Sequence, residues 1–480
     1  MNYNYRQLIR GEWCDATNGG TWDVINPATE EVIRTVPFGT REDCRLALES
    51  AGRAFPAWSG VTAYERARFL KKAADLIRDR APDLAWTTVL ESGKPLAQAK
   101  GEWAVSADLF EWFAEESKRA YGRWVPSRNA AKRQLVIKQP IGVVGLITAW
   151  NFPAYNIARA AAAALAAGCP VVIRPSEYTP LTAMEMANIL LEAGFGEGVV
   201  NLINGEPESM GREMLENPQC SKIHFTGSQR VGKLLMDGAS KTVKRLSLEL
   251  GGNAPVLIFP DVDLDQVATS AVIAKFRNAG QVCISPQRFL VDRRIAEKFT
   301  ERVAEQVSKL QLGDGLDPAT TVGPMINARQ LERVEQMTVS SQASGARIAV
   351  GGKRPPAKKR GYFFEPTVAT HVTPEMPLFQ AEIFGPVLPI TTFSDANQAI
   401  ELANRTRYGL SAYVWTNDLR AAVTTAERLE FGMVGVNEWA PQSTEVPFSG
   451  WKESGLGREA GAEGLEEYLE TKLIAFGGLA

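Results

Sequence analysis

Cys283 sits in the stretch Asn278-Ala-Gly-Gln-Val-Cys-Ile-Ser-Pro-Gln287, where small and polar residues surround a thiol. The apolar run Val267 to Phe276 leads in, and a strand-like Arg288-Phe-Leu-Val291 leads out. A cysteine on a turn between two such elements is partly exposed and held at fixed geometry, as a thiolate nucleophile requires. The competing reading is a small apolar residue that only fills space. Glu249, in Leu248-Glu-Leu-Gly-Gly-Asn-Ala-Pro255, ends a strand just before two glycines. A poorly solvated carboxylate there has a raised pKa and suits a general base, and a salt-bridged surface glutamate is the alternative. Trp150-Asn-Phe-Pro153 closes another strand. The Asn151 amide is a candidate oxyanion donor, against the ordinary reading of a turn asparagine before proline.

Two further stretches have the chemistry of a nucleotide site. Phe225-Thr-Gly-Ser-Gln-Arg-Val-Gly232 follows a strand and opens a helix. Gly227 permits close backbone approach, Ser228 can bond a phosphate, and a helix N-terminus favours an anion. The segment lacks GxGxxG, so a plain strand–helix turn fits it equally. Arg174-Pro-Ser-Glu177 follows a strand at 171–173, where a carboxylate can accept hydrogen bonds from ribose hydroxyls. A capping carboxylate near a helix start is the other reading.

The elements that must position these groups follow from periodicity. Residues 1–50 read as short strands and turns, and Arg41 to Tyr121 as a helical layer with Ala67, Leu70, Ala74 and Ile77 at helical spacing. Residues 122–140 read as a strand-like insert. From Ile141 short apolar runs alternate with helices: strands at 141–149, 171–173, 199–203, 221–225 and 243–248, and helices at 157–167, 181–193, 210–216 and 229–238. A second alternating block runs from Ala254 to about Val436, with helices near 264–276 and 295–310. The fold class is α/β: parallel sheets covered on both faces, with ligands at the carboxyl ends of the strands.

Composition narrows the field. A chain of 480 residues, 45% hydrophobic, holds roughly three folding units or two large ones. A net charge of −2 gives no reason to expect nucleic acid or an acidic membrane as partner. The basic run Lys353 to Arg360 lies between glycines and reads as a solvated loop. Cys14, Cys44, Cys169, Cys220 and Cys283 show no CxxC spacing, which points to a reducing compartment. With only His224 and His371, no metal-ligand cluster is expected. The alanine-rich window Ile157 to Cys169 reads as a buried helix, not a membrane span.

Taken together, these stretches resemble the aldehyde dehydrogenase superfamily. The resemblance is carried by WNFP at 150–153, RPSE at 174–177, FTGS at 225–228, LELGGNAP at 248–255 and GQVC at 280–283. EIFGPV at 382–387, Tyr408-Gly-Leu410 and PFSGWKESGLGRE at 447–459 complete it, in family order across nearly the whole chain. It implies a Rossmann-like NAD-binding domain over 1–121 and 141–250, an α/β catalytic domain over 251–436, and a small β oligomerisation arm over 122–140 and 462–480. It also implies the chemistry: Cys283 attacks an aldehyde, Asn151 and the Cys283 backbone N–H hold the oxyanion, hydride leaves to nicotinamide, and Glu249 activates water against the thioester. The cofactor positions carried over are Thr148, Trp150, Arg174, Ser176, Glu177, Gly205, Phe225, Gly227, Ser228, Val231, Leu250, Glu382 and Phe384. The family usually has Lys where this chain has Arg174. Glu177 repels a 2′-phosphate and favours NAD, while Arg174 partly offsets it and keeps NADP as an alternative.

Within the superfamily the resemblance is closest to succinate-semialdehyde dehydrogenases, whose substrate carboxylate is held by two arginines and a serine. The matching positions are Arg159, Arg277 and Ser443, with Phe448 beside them. The alternative is that the arginines make structural ion pairs. Other anionic aldehydes (glutarate, 2-oxoglutarate or sulfonated semialdehydes) and a broad-specificity enzyme stay open, as does a cofactor-free Cys/His hydrolase using His224 or His371. Ser285 stands where many relatives have a second cysteine, so no redox switch is expected. Trp439 and Pro441 are expected to reshape the pocket mouth. The family pattern further implies a cytoplasmic homodimer or homotetramer, without metal, membrane or nucleic acid.

Overall fold

A computed structural model describes residues 3–479. Among them, the strands Val143–Ile147, Val171–Arg174, Val200–Leu202, Cys220–Gly227 and Arg245–Leu250 run parallel in one sheet. Burial on both faces explains why 143–147 and 171–173 read as unbroken apolar runs. Val143–Ile147 lies at the centre. The chain builds outward from it through 171–174 and 200–202, then crosses back to add 220–227 and 245–250 on the other side. The strand order therefore reverses between Val143–Ile147 and Cys220–Gly227, and the crevice at their carboxyl ends is where such sheets bind ligands. The hairpin Gln7–Ile9 and Glu12–Cys14 covers one edge, and the short antiparallel strand Gly455–Leu456 covers the other, with Leu456 opposite Leu248. That last strand was not expected from the sequence: it lies some two hundred residues from its partner.

The helix Pro153–Ala167 is buried along almost its whole length, between the sheet and the layer made by Ala63–Ser92 and Leu96–Glu116. Its alanines let the backbones of all three layers approach. It starts four residues earlier than the apolar periodicity suggests, because Pro153 takes the first helical position, where a missing N–H costs nothing. Gly168, at φ 98°, ends it.

The second sheet runs in the order 347–350, 367–370, 387–393, 286–292, 254–258, 411–415, 433–436, all parallel except the first strand. It has its own apolar core. Ala279 and Phe289 belong to that core, whereas Val282 and Ile284 belong to the core of the first sheet. The turn that carries Cys283 thus passes from one core to the other. A third sheet pairs Leu469–Phe476 with Arg133–Pro140, and the latter with Arg123–Val125. Residues 461–466, expected in part to join this arm, instead form a helix against Pro153–Ala167. No described helix is long and apolar enough to cross a membrane.

Candidate active site

The Leu264–Phe276 helix stops at Arg277, and three successive residues then turn left-handed: Asn278 (φ 49°), Ala279 (φ 53°) and Gly280 (φ 73°). At Gly280 a Cβ would lie 2.1 Å from the Gly385 carbonyl oxygen, so no other residue fits. Each non-glycine residue in this region costs ~1–2 kcal/mol and persists only where its surroundings fix it. Here they do. The Asn278 N–H donates to Gln98 Oε1 at 2.8 Å, and its amide donates to the Asn151 and Gln281 carbonyls at 3.0 and 3.2 Å. Gln281 in turn donates to the Asn278 carbonyl at 3.1 Å and accepts from the Ile326 N–H at 2.9 Å. The result is a rigid perch for Cys283, whose thiol is half-buried.

Glu249 lies within hydrogen-bonding reach of that thiol. Burial, reinforced by Glu459 and opposed by Arg159, pushes its carboxyl up to about 8. Burial and the Glu249 charge push the Cys283 thiol well above its ordinary range, with Arg159 opposing. The surface-glutamate reading fails: Glu249 is 5% exposed, and its Oε1 has no hydrogen-bond partner. Burial thus disfavours the charged form of both groups.

Asn151 is also buried, and both ends of its amide are engaged. Oδ1 accepts from Asn156 Nδ2 at 3.3 Å, and Nδ2 donates to the Gln281 carbonyl at 3.2 Å, leaving one N–H uncommitted. Its backbone is held from the helical layer. Lys94 donates to the Asn151 carbonyl at 2.7 Å and pairs with Glu102, and both side chains are fully buried. Glu102 accepts the Ala154 and Tyr155 N–H groups at 2.8 and 3.2 Å, capping the Pro153–Ala167 helix.

A cavity of about 530 Å³ opens beside the thiol, lined by Cys283, Arg159, Arg277, Ser443 and Phe448 among others. The four expected substrate-binding residues and the expected nucleophile therefore meet in one space. The two arginines differ. Arg159 is buried, its guanidinium 4.2 Å from the Phe448 ring centre and 4.9 Å from that of Tyr155, and its Nη2 is 2.8 Å from Glu459 Oε2. The ion-pair alternative is thus realised at one nitrogen, while Nε and Nη1 have no hydrogen-bond partner. Arg277 is half-buried over the Phe152 ring at 5.5 Å, and no ion pair to it is found among the described residues. Trp439 does not line this cavity, contrary to expectation. It packs against Phe289, Tyr413 and Trp415, an aromatic cluster whose burial outweighs exposure at a pocket mouth. Gln442 and Thr444 line the mouth instead. Neither histidine lines the cavity: His224 contacts Glu459 and Tyr468, and His371 is exposed beside Thr370.

The crevice at the sheet's switch point collects most of the expected cofactor positions. Thr148 and Trp150 follow the strand Val143–Ile147, Arg174, Ser176 and Glu177 follow or end Val171–Arg174, and Ser228 caps the helix Gln229–Ser240, accepting the Val231 N–H. Arg174 Nη2 lies 3.0 Å from Glu177 and donates to the Gly205 carbonyl at 2.8 Å. Thr148 Oγ1, Thr226 Oγ1 and Arg174 Nε are buried without partners. Orphaned polar atoms beside a twelve-residue helix N-terminus suit a dinucleotide, so the residues fit that group. Phe225 and Leu250 stand differently: their side chains pack with Leu235 and Leu248 in a small core, leaving their backbones as what they can offer. Across the crevice Glu382 accepts the Gly252 N–H at 3.0 Å, its carboxyl pushed up to about 7 by burial. Phe384, at φ 50°, meets Trp150 edge-on at 5.4 Å.

This constellation has relatives. The pattern of the Aldehyde dehydrogenase family matches residues 13–474. The chain belongs to that family. It is 43% identical to the NADP(+) succinate-semialdehyde dehydrogenase of Escherichia coli over 475 residues, 99% of this chain and 98% of that one. It is 42% identical to the glutarate-semialdehyde dehydrogenase of Pseudomonas aeruginosa, covering 99% of this chain and 98% of the relative. The crystal structure of the succinate-semialdehyde dehydrogenase of Burkholderia pseudomallei superposes with a TM-score of 0.97 at 43% identity, covering 99% and 98% of the two chains.

In this aldehyde dehydrogenase several site residues escaped the sequence reading. Lys94 and Glu102 are a fully buried, paired lysine and glutamate, but the many exposed charges around them along the chain hide them in the sequence. Asn156, Glu459 and Gln98 gave no sign either. For two of them the partner lies far along the chain, 180 residues for Gln98 to Asn278 and the C-terminal segment for Glu459 to Arg159, whereas Asn156 meets Asn151 only 5 residues away.

Proposed function

We propose that the protein oxidises short aldehydes bearing a distal carboxylate, succinate semialdehyde foremost, to the corresponding dicarboxylic acid. The observation that carries this reading is the pair of guanidiniums, Arg159 and Arg277, opening on the same cavity as the Cys283 thiol, with Arg277 lacking a carboxylate partner among the described residues. An arginine fork without an anion is costly to desolvate, and it matches a carboxylate in two parallel hydrogen bonds. The names of the relatives, semialdehyde dehydrogenases, support the same class. Ser443 adds a hydroxyl, and Phe448 closes the apolar wall over Arg159.

In the reaction, the Cys283 sulfur adds to the carbonyl carbon as its proton passes to Glu249, which lies within reach of the thiol. The uncommitted Asn151 N–H faces the oxygen that gains charge. NAD(P)+, held by Thr148, Trp150, Arg174, Ser176, Glu177, Ser228 and Glu382, supplies the hydride acceptor. Glu249 gives up that first proton to solvent and, ionised again, takes a proton from the water that cleaves the thioester; the acid leaves and this proton passes to the departing sulfur, restoring the thiol. The Glu177 carboxylate repels a 2′-phosphate and is itself tied to Arg174, which favours NAD over NADP.

The parallel sheet of residues 141–250, with the helical layer 1–121, serves as the dinucleotide-binding domain, and 251–436 as the catalytic domain. The sheet made by Leu469–Phe476 and 122–140 joins subunits into a dimer or tetramer: Leu473 and Phe476 are exposed on its unpaired edge strand. Five unpaired thiols fit the reducing cytoplasm. The test is NADH and NADPH formation with succinate, glutarate, 2-oxoglutarate and sulfonated semialdehydes beside neutral aldehydes of equal length. The expected result is the highest kcat/KM for succinate semialdehyde with NAD. A neutral aldehyde preferred over every acid overturns the reading.

A further inference from the structure

The turn that presents Asn151 is gripped by a buried ion pair to which the reaction above gives no task. Lys94 Nζ donates to the Asn151 carbonyl at 2.7 Å, pairs with Glu102 and lies 4.3 Å from the centre of the Phe152 ring, which accounts for its three N–H groups. Glu102 takes the other side of the turn. Its second oxygen accepts the Ala154 and Tyr155 N–H groups at 2.8 and 3.2 Å, and Phe152 at the head of that helix offers no side-chain cap of its own. The Lys94 backbone is wedged as well. It follows Gly93, which ends the helix Ala63–Ser92 at φ 76°. A Cβ on Gly323 would lie 2.0 Å from the Gly93 carbonyl oxygen, and one on Gly315 would lie 2.2 Å from that of Lys94. Beside Gly323, the Pro324 carbonyl accepts from Nε2 of Gln281 at 3.3 Å, in the turn that carries Cys283.

The Asn151 carbonyl is thereby fixed from two directions, by Lys94 on one side and by Asn278 Nδ2, at 3.0 Å, on the other. Replacing a buried ion pair by apolar residues of similar volume is often neutral or stabilising, so stability alone does not account for Lys94 and Glu102. What apolar side chains could not supply is a donor at a fixed point behind the oxyanion site. We propose that Lys94 is a positioning residue: held by Glu102, it locks the Asn151 peptide so that the uncommitted side-chain N–H of Asn151 stays aimed at the aldehyde oxygen as that oxygen gains charge. Lys94 does not line the substrate cavity, so it acts only through Asn151. This rests on Asn151 as the oxyanion donor and adds the group that aims it.

The test is the rate of NADH formation in the first turnover, measured by rapid mixing with succinate semialdehyde and with butanal. Lys94→Met combined with Glu102→Gln removes the donor without stranding a charge, and the new amide oxygen still caps the helix. A reacting group displaced by about 1 Å costs up to about 10²-fold, so the first turnover should slow ~10- to 100-fold for both aldehydes, with KM and NAD binding changed less than about twofold. In an Asn151→Ala background, itself slower by ~10²- to 10³-fold, the same two changes should cost less than about twofold more, because no donor is left to aim. Lys94→Arg keeps the ion pair and moves the donor outward. It should keep the melting temperature and slow the first turnover by a smaller factor, and it decides the matter if the double variant does not fold. An unchanged rate in the folded variants, a loss confined to the acid, or an equal further loss in the Asn151→Ala background overturns this inference alone. An undiminished rate in Asn151→Ala by itself overturns the oxyanion assignment and this inference with it.

Discussion

Replacing Arg277 with alanine separates recognition of the substrate carboxylate from everything else the site does. Arg277 is half-buried, packs over Phe152 and has no carboxylate partner among the described residues, so its removal orphans no buried charge there. It also relieves Lys94, a fully buried cation that Arg277 helps to hold below its ordinary range, after the larger effect of burial. The melting temperature of Arg277→Ala is therefore expected to stay within about 2 °C of the unaltered protein. Arg159→Ala is a poorer test: it strands Glu459, and breaking a buried pair costs ~3–5 kcal/mol. A hydrogen bond to a charged group contributes ~1.5–3 kcal/mol, which at ~1.4 kcal/mol per tenfold is a loss of about 10- to 150-fold in kcat/KM for succinate semialdehyde. Butanal, with nothing to offer a guanidinium, should change less than about twofold. Arg277→Lys keeps the charge without the fork and should fall between. The assay is initial-rate NADH formation with both aldehydes on all three proteins. An equal fall for the two aldehydes, or an undiminished preference for the acid, would refute the assignment.

Two further perturbations address the remaining groups. Glu249→Gln removes the like charge that helps raise the Cys283 thiol, so iodoacetamide should alkylate Cys283 at lower pH, while turnover falls ~10²- to 10⁴-fold for want of the base. Rapid mixing should then show one burst of NADH per subunit, and the rise of kcat with pH through about 8, where Glu249 becomes ionised, should vanish; steady turnover without a burst counts against its role in deacylation. Glu177→Ser removes the carboxylate that repels a 2′-phosphate and frees Arg174 Nη2, so the ratio of kcat/KM for NADP to that for NAD should rise about tenfold or more. An unchanged ratio would mean that this pair does not read the ribose.

Much of the fold could be read ahead because a strand buried on both faces leaves a short unbroken apolar run, and the runs at 143–147, 171–173 and 254–258 are of that kind. Cys283 and Asn151 stood out as candidates because each sits in a turn between regular elements, and Glu249 because it lies near the end of a strand before two glycines. What could not be read was pairing at a distance. Gly455–Leu456 is too short to show any period, and its strand character comes entirely from Leu248 and Glu249 beside it. The left-handed run at Asn278 and Ala279 contradicts local preference and is fixed by Gln98 and Asn151 from other elements. Arg159 looked like a free clamp because its counter-ion stands at position 459, and Trp439 looked like a mouth residue because its aromatic neighbours come from two strands distant in sequence.

The helix Pro153–Ala167 bears Asn156 near its entrance and Arg159 one turn further on, while Asn151 sits in the turn just before it. A single buried rod thereby sets the span between the atom that reacts and the end that is gripped, and acts as a gauge block for substrate length. Shifting that span by moving the rod would disturb three packed layers at once. Divergence towards longer or shorter aldehydes is therefore expected to accumulate in the pliable rim at Gln442 to Glu445, with the rod left untouched.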